Sequence, residues 1–208
     1  TRVNLDSGCV SKVLAMMEAS GTILLDHVNS VLDISRTEAG AQQFAHVPFD
    51  LEQVIRDVID NQAGLAESAG NRMVLTGLGG PVGRVMGDPG KVRQLLLNLI
   101  GNAVKFTTDG EITVETERLP GSDTDEPGPM VEIRVIDTGI GIAEADVGRI
   151  FDDFVTLDTR YARTAGGTGL GLGITRRLTE AMGGQIGAES ELGEGSLFWL
   201  RLPLPAAC

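Results

Sequence analysis

The sequence predicts an α+β fold: one long helix of a helical bundle, then a domain in which strands and helices alternate. Three observations predict it. Apolar residues between positions 11 and 36 recur at alternating steps of four and three, the spacing of a helix packed in a bundle. From Phe44 the pattern changes to short extended runs interleaved with amphipathic helices. Finally, the run Gly166-Gly167-Thr168-Gly169-Leu170-Gly171-Leu172-Gly173 opens directly into a helical pattern through Ile174, Leu178, Ala181 and Met182. The change of pattern divides the chain into a helical domain, 1–40, and an α/β domain, 41–208.

In chain order, the stripe of the first helix is Val13, Met17, Ser20, Leu24, His27, Val31 and Ile34. A second line, Leu14, Leu25, Val28 and Leu32, widens the apolar arc beyond a two-stranded seam. One helix cannot bury such an arc, so its partner is an upstream helix, a second copy of the chain, or both. Gly40 suits the position just past the helix end. Residues 45–49 read as extended. Asp50 reads as the N-cap of a helix carrying Leu51, Val54, Ile55, Val58 and Ile59. Strands are expected at 72–78 and 84–86, with a Gly79-Gly80-Pro81 turn between them. Asp88 and Pro89 are a cap and first-turn proline for a helix that carries Val92, Leu95, Leu96, Leu99, Ile100 and Val104 and ends near Phe106. Two strands, 111–118 and 130–137, flank an exposed loop of prolines, glycines and acids. A short helix at 144–150, an irregular segment at 152–166, the Gly-rich helix and strands at 185–190 and 196–202 complete the domain.

The bulk properties narrow the function. The 208 residues are 42% hydrophobic, enough for one sizeable core or two small ones. The formal charge is −12 and no Lys/Arg cluster stands out, which argues against a nucleic-acid surface. An anionic ligand would therefore need local cations, a metal and backbone N–H groups to offset the field. Cys9 and Cys208 lie at opposite ends without ligand-like spacing, which argues against a disulfide scaffold or zinc site and for a reducing compartment. No apolar run is long enough to span a membrane and no signal peptide is visible. The chain starts at Thr1, as a fragment of a longer protein would. The expected location is cytoplasmic, or the cytoplasmic part of a sensor anchored in a membrane by segments outside this chain.

Four clusters can carry chemistry. Glycines let the backbone approach a ligand closely, and a helix start just after them offers unpaired N–H groups, so the Gly-rich stretch suits phosphate. It lacks the Lys-Ser/Thr of a P-loop, and a hinge or close helix crossing would use the same residues. Asn98, Asn102 and Lys105, spaced i, i+4 and i+7, share one helix face. Two amides and an ammonium can hold hydrated Mg²⁺ and a phosphate chain, or merely form a solvated face. Asp137-Thr138-Gly139-Ile140-Gly141 ends an apolar strand with a carboxylate that can accept from an exocyclic amine, and an ordinary strand-end turn also favours Asp and Gly. Phe151-Asp152-Asp153-Phe154 brackets acids with two aromatics, as anchors of a mobile loop or as a plain hydrophobic pin.

In this order the four clusters resemble the catalytic ATP-binding domain of two-component sensor histidine kinases, part of the ATPase group shared with Hsp90, gyrase B and MutL. Gly193-Glu194-Gly195-Ser196-Leu197-Phe198 is similar to the kinase version of that group. The segment Leu32 to Gly40 resembles the end of the second helix of the dimerisation and phosphotransfer domain. The resemblance covers about residues 11–203. It implies a two-layer α/β sandwich, a mixed sheet covered on one face by helices, with ATP and Mg²⁺ as cofactors. By the same resemblance Asn102 would coordinate Mg²⁺, Asn98 would lie near the metal and the attacking group, and Lys105 would contact phosphate. Asp137 would bind the adenine amine, with Ser196 helping through a water, and Gly139 and Gly141 would shape the base pocket. Residues 152–166 would form a lid with Arg163 a γ-phosphate contact, although Thr164-Ala165 departs from the common lid wording. Gly167, Thr168, Gly169, Leu170 and Gly171 would supply backbone donors to the phosphates.

The family's acceptor box is absent. His27 lies on the bundle stripe and is followed by Val-Asn-Ser, and His46 lies in the linker. Neither reads as a phosphoacceptor, so the acceptor precedes Thr1 or the protein lacks one. The expected activity is Mg-dependent transfer of the ATP γ-phosphoryl to a histidine outside this chain, then to a response regulator receiver domain. The expected assembly is a homodimer through the N-terminal bundle. A degenerate kinase acting as a dimeric scaffold, and another ATPase of the same group, are the alternatives.

Overall fold

The computed structural model describes residues 43–119, 130–152, 155 and 169–207. The expected N-terminal helix with its bundle stripe, the loop at 120–129 and most of the segment 152–166 lie outside the described residues.

The first strand, β1 (Val47–Asp50), runs into helix α1 (Leu51–Ser68), and Asp50 caps that helix by accepting from the Gln53 N–H at 2.9 Å. Leu51, Val54, Ile55 and Val58 form its buried stripe. After β2 (Arg72–Gly77) and β3 (Arg84–Gly87), helix α2 (Pro89–Phe106) starts on Asp88, which accepts from the Lys91 N–H at 3.0 Å, with Pro89 in the first turn. The strands β4 (Glu111–Arg118) and β5 (Met130–Asp137) have the bounds expected from the sequence. Helix α3 spans only Glu144–Val147, not the expected 144–150. Gly148 follows it, and glycine gains too little from helix to prolong so short a piece. Helix α4 (Gly171–Ala181), β6 (Gln185–Glu191) and β7 (Gly195–Pro203) complete the unit.

Five strands form a mixed sheet in the order β2-β4-β5-β7-β6. Only β2 and β4 are parallel, as their connection through α2 requires, and the other pairs are antiparallel. Strand periodicity sends alternate side chains to opposite faces. Ile112 and Val114 of β4, Val131, Ile133 and Val135 of β5, and Phe198, Leu200 and Leu202 of β7 are buried on one face. The stripes of α1, α2 and α4 complete that core, which contains Leu95, Leu96, Leu99, Ile100 and Leu178. The layered α+β arrangement matches the expectation.

The opposite face carries charge. Glu132, though buried, is held between two guanidiniums: Arg134 Nε lies 2.6 Å from one carboxylate oxygen and Arg201 Nε 2.5 Å from the other. Burial opposes ionisation of Glu132, but the bonds from Arg201 and Arg134 overcome it and leave its pKa below the ordinary value. Arg201 also stacks on Trp199, 4.5 Å from the ring centroid.

A second, smaller sheet was not expected from the sequence. β1 pairs antiparallel with β3, Val47 opposite Gly87 and Asp50 opposite Arg84. The other edge of β3 takes the end of the chain. Val85 bridges Ala206, Met86 N–H donates to Pro205 O at 2.8 Å, and Ala207 N–H donates to Arg84 O at 3.0 Å.

Candidate functional site

Helix α2 is the spine of the site. Its stripe of Leu99, Ile100, Ala103 and Val104 is buried against the sheet. Asn98, Asn102 and Lys105 are left half-buried on another face of the same unbroken helix. The Asn98 amide nitrogen donates to the Gly171 carbonyl and, at 2.6 Å, to Thr175 Oγ1. The Thr175 hydroxyl itself donates to Gly171 O at 2.9 Å, so it accepts from Asn98. Thus Asn98 fastens the first turn of α4 to the middle of α2. What remains for a ligand is its carboxamide oxygen.

The start of α4 has the character expected of an anion site. Gly169 takes φ 70°, Leu170 occupies the cap position without a side-chain hydrogen bond, and the first turn contains no acid. The opening N–H groups and the positive end of the helix dipole are therefore not neutralised by a cap. Gly169, Leu170 and Gly171 are placed together there, whereas Arg163, Gly167 and Thr168 lie outside the described residues. Lys105 is half-buried, with Nζ 4.8 Å from the Phe106 ring centroid, and burial lowers its pKa. A bound polyanion would favour the charged form and oppose that shift.

The other end of the site is built at the end of the sheet. Asp137 closes β5 and is 6% exposed. Burial raises its pKa, partly opposed by hydrogen bonds from the Gly139 and Ser196 backbone. Gly139 N–H reaches Asp137 Oδ1 at 2.9 Å. A Cβ at position 139 would lie 2.5 Å from Phe106 O, 2.8 Å from Asp137 Oδ1 and 2.9 Å from Thr107 Oγ1, so only glycine passes there. Gly141, at φ 64°, lies against the backbone of Glu191 with no room for a side chain. The Thr107 hydroxyl is buried and has no hydrogen-bond partner among the described residues. Ser196 stands opposite Asp137 across the β5–β7 ladder.

The two ends are tied to one helix. Ile140 N–H donates to Phe106 O at 3.2 Å, which fixes the Asp137 loop to the C-terminal end of α2. Asn98, eight residues earlier, holds α4. At 1.5 Å rise per residue these anchors are about 12 Å apart along the axis. That distance spans a nucleoside and its phosphates, with a carboxylate at one end and a helix N-terminus at the other. For a metal, the donors on α2 are amide oxygens, and among the described residues no group of three His, Cys, Asp or Glu side chains could hold an ion. A hard cation that keeps its waters and takes phosphate oxygens fits this set.

Three residues of the site carry no signature that reading by motif would detect. Thr175 and Thr107 are ordinary residues beside motif positions. Ser190 is recoverable from the hairpin: Glu191 to Gly195 is a tight turn, which puts Ser190 opposite Ser196.

Comparison with known proteins gives the family of the chain. Residues 87–206 match the model of the family described as histidine kinase-, DNA gyrase B-, and HSP90-like ATPase. The sensor protein GacS of Pseudomonas syringae pv. syringae is 40% identical over 93% of this chain, and BarA of Escherichia coli K12, a signal transduction histidine-protein kinase, is 38% identical over 92%. The chain spans only 21% and 20% of those two proteins. Among solved structures, full-length ShkA in complex with AMPPNP superposes with TM-score 0.79 at 36% identity, covering 99% of this chain and 41% of ShkA. The nucleotide-free catalytic domain of the histidine kinase ThkA gives TM-score 0.63 at 27% identity, covering 78% of this chain and 96% of that domain.

Proposed function

The chain belongs to the histidine kinase-, DNA gyrase B- and HSP90-like ATPase family, and from that premise we propose that it is the ATP-binding catalytic part of a sensor histidine kinase. The observation that carries the reading is the pair of anchors on α2, Phe106 O to the Asp137 loop and Asn98 to the first turn of α4. They hold a base-sized acceptor site and a phosphate-sized donor site on one rigid element.

In this reading Asp137 accepts from the exocyclic amine of adenine, and Gly139 and Gly141 let the backbone line the ring. Ser196 adds a second polar contact beside Asp137. Lys105 and the N–H groups from Gly169 to Gly171 take the phosphates. Asn102, with the Asn98 carboxamide oxygen on the same helix, would hold Mg²⁺, which would supply charge neutralisation to the phosphates. Arg163, Gly167 and Thr168 act from the lid side. Catalysis of in-line phosphoryl transfer then rests on positioning and charge stabilisation. The γ-phosphoryl goes to a histidine outside this chain and onward to a response regulator receiver domain, within a homodimer formed through the N-terminal helices. The anionic chain is assigned no part in nucleic-acid binding, and any membrane attachment would belong to segments outside it.

Calorimetry with Mg-ATP tests the site. The wild-type chain binds, and Asp137→Asn and Asn102→Ala each abolish measurable binding. Unchanged affinity in both variants would overturn the assignment.

A further inference from the structure

Ser190 lies on β6, opposite Ser196 of β7. Its hydroxyl oxygen has three neighbours: Gly195 O at 2.7 Å, the Ile142 backbone nitrogen at 2.8 Å and Ser196 Oγ at 3.0 Å. A hydroxyl has one proton to donate and two lone pairs to accept with. The carbonyl of Gly195 can only accept, so the Ser190 proton goes there. The Ile142 N–H can only donate, so it occupies one lone pair. The remaining contact is between the two hydroxyls, and with the Ser190 proton already committed the donor must be Ser196. Ser190 is then saturated, and the Ser196 oxygen has only lone pairs left to offer.

That polarity bears on the base. Asp137, Ser196 and Ser190 fall in one row across the sheet, and Ser196 is the neighbour of the Asp137 carboxylate. Resting on the ATP reading above, we propose that Ser190 is a positioning residue that holds Ser196 as a hydrogen-bond acceptor, so that Asp137 and Ser196 select a purine with an amine at C6 over one with a carbonyl there. An amine brings N–H donors to two acceptors. A C6 carbonyl brings lone pairs against lone pairs, and the N1–H beside it can satisfy at most one of the two protein acceptors. Ser190 touches no base in this scheme and acts only through the proton of Ser196.

The test compares Mg-ATP with Mg-ITP, which differ at the C6 edge, by calorimetry on the 208-residue chain. The quantity read is the ratio of the two dissociation constants. In Ser190→Ala the Ser196 proton is released and can rotate toward a C6 carbonyl, so the preference for ATP falls about 5- to 10-fold, the scale of one hydrogen bond. Ser190→Ala also strips Ile142 N–H and Gly195 O of their partner, which weakens both nucleotides alike and leaves the ratio untouched. The ratio therefore separates polarity from mere anchoring of the loop. Ser190→Thr retains the hydroxyl and the wild-type ratio. If thermal melting shows Ser190→Ala unfolded, Ser196→Ala replaces it, and removal of that acceptor lowers the preference similarly. A ratio within twofold of wild type in the folded Ala variant overturns the role of Ser190 and leaves ATP binding standing. Failure of the wild-type chain to bind either nucleotide overturns both.

Discussion

Replacing Asp137 by Asn moves stability and binding in opposite directions. The carboxylate is 6% exposed, and burial pushes its pKa above the ordinary value. Folding thus favours the neutral form more than an unburied carboxylate would. The stability this group contributes is present at low pH and lost as pH rises through its folded pKa. Above that pKa the folded chain carries a buried charge, which the backbone N–H groups of Gly139 and Ser196 offset only in part. Asn is almost the same size, can still accept from Gly139 N–H through its oxygen, and carries no charge. The variant is therefore at least as stable as wild type near neutral pH, with the difference vanishing in acid. Binding goes the other way. The charged acceptor is lost, and an amide N–H₂ facing an amine pairs donor with donor. A hydrogen bond to a charged group is worth about 1.5–3 kcal/mol, which is roughly 10- to 150-fold in affinity before the donor clash is added. Together these take binding below detection. Urea denaturation across pH, with Mg-ATP calorimetry on the same samples, reads both. A variant that is less stable at neutral pH, or one that binds ATP like wild type, would refute the reasoning.

Other perturbations separate the site from its frame. Gly139→Ala drives a methyl against Phe106 O, Asp137 Oδ1 and Thr107 Oγ1; it should cost about 1–3 kcal/mol in denaturation and weaken ATP, the overpacking range. Lys105→Ala should weaken Mg-ATP about tenfold or more while adenosine affinity stays within twofold, since the proposed role of the ammonium is toward phosphate alone. Glu132→Gln should lower stability by about 1–2 kcal/mol, below the range for a fully buried pair because Arg134 and Arg201 are partly solvated, and should leave ATP affinity unchanged. The Glu132 pKa is depressed, so its stabilisation is present above the unfolded carboxylate pKa and lost as pH falls through the folded value, and the Gln variant should lose that acid dependence.

Much of this was legible in residue order because the signals are local. Asp50 and Asp88 announce helix starts by side-chain chemistry two or three residues deep, and both cap as expected. The alternation in Ile112, Val114 and Val131, Ile133, Val135 fixes two strands to the residue. Pairing is a different matter. Nothing near Val47 indicates that its partner is Gly87, or that Pro205 and Ala206 occupy the other edge of the same strand. The Asn98 contact was hidden for the same reason, since 73 positions separate it from Gly171. Helix α3 failed in the opposite sense, because a helical pattern expected through Ile150 was cut short at Gly148.

The small sheet has a mechanical consequence. Strand β1 and the tail from Pro205 to Ala207 both run antiparallel to β3, so they run parallel to each other, one on each side of it. Tension applied through the segment entering at Val47 and the segment leaving at Ala207 pulls these two strands in opposite senses along their own axes. The hydrogen bonds of such a ladder lie across the strands. They are loaded together in shear, not opened one at a time from an end. Force transmitted along the polypeptide is then borne by the clasp of β1, β3 and the tail.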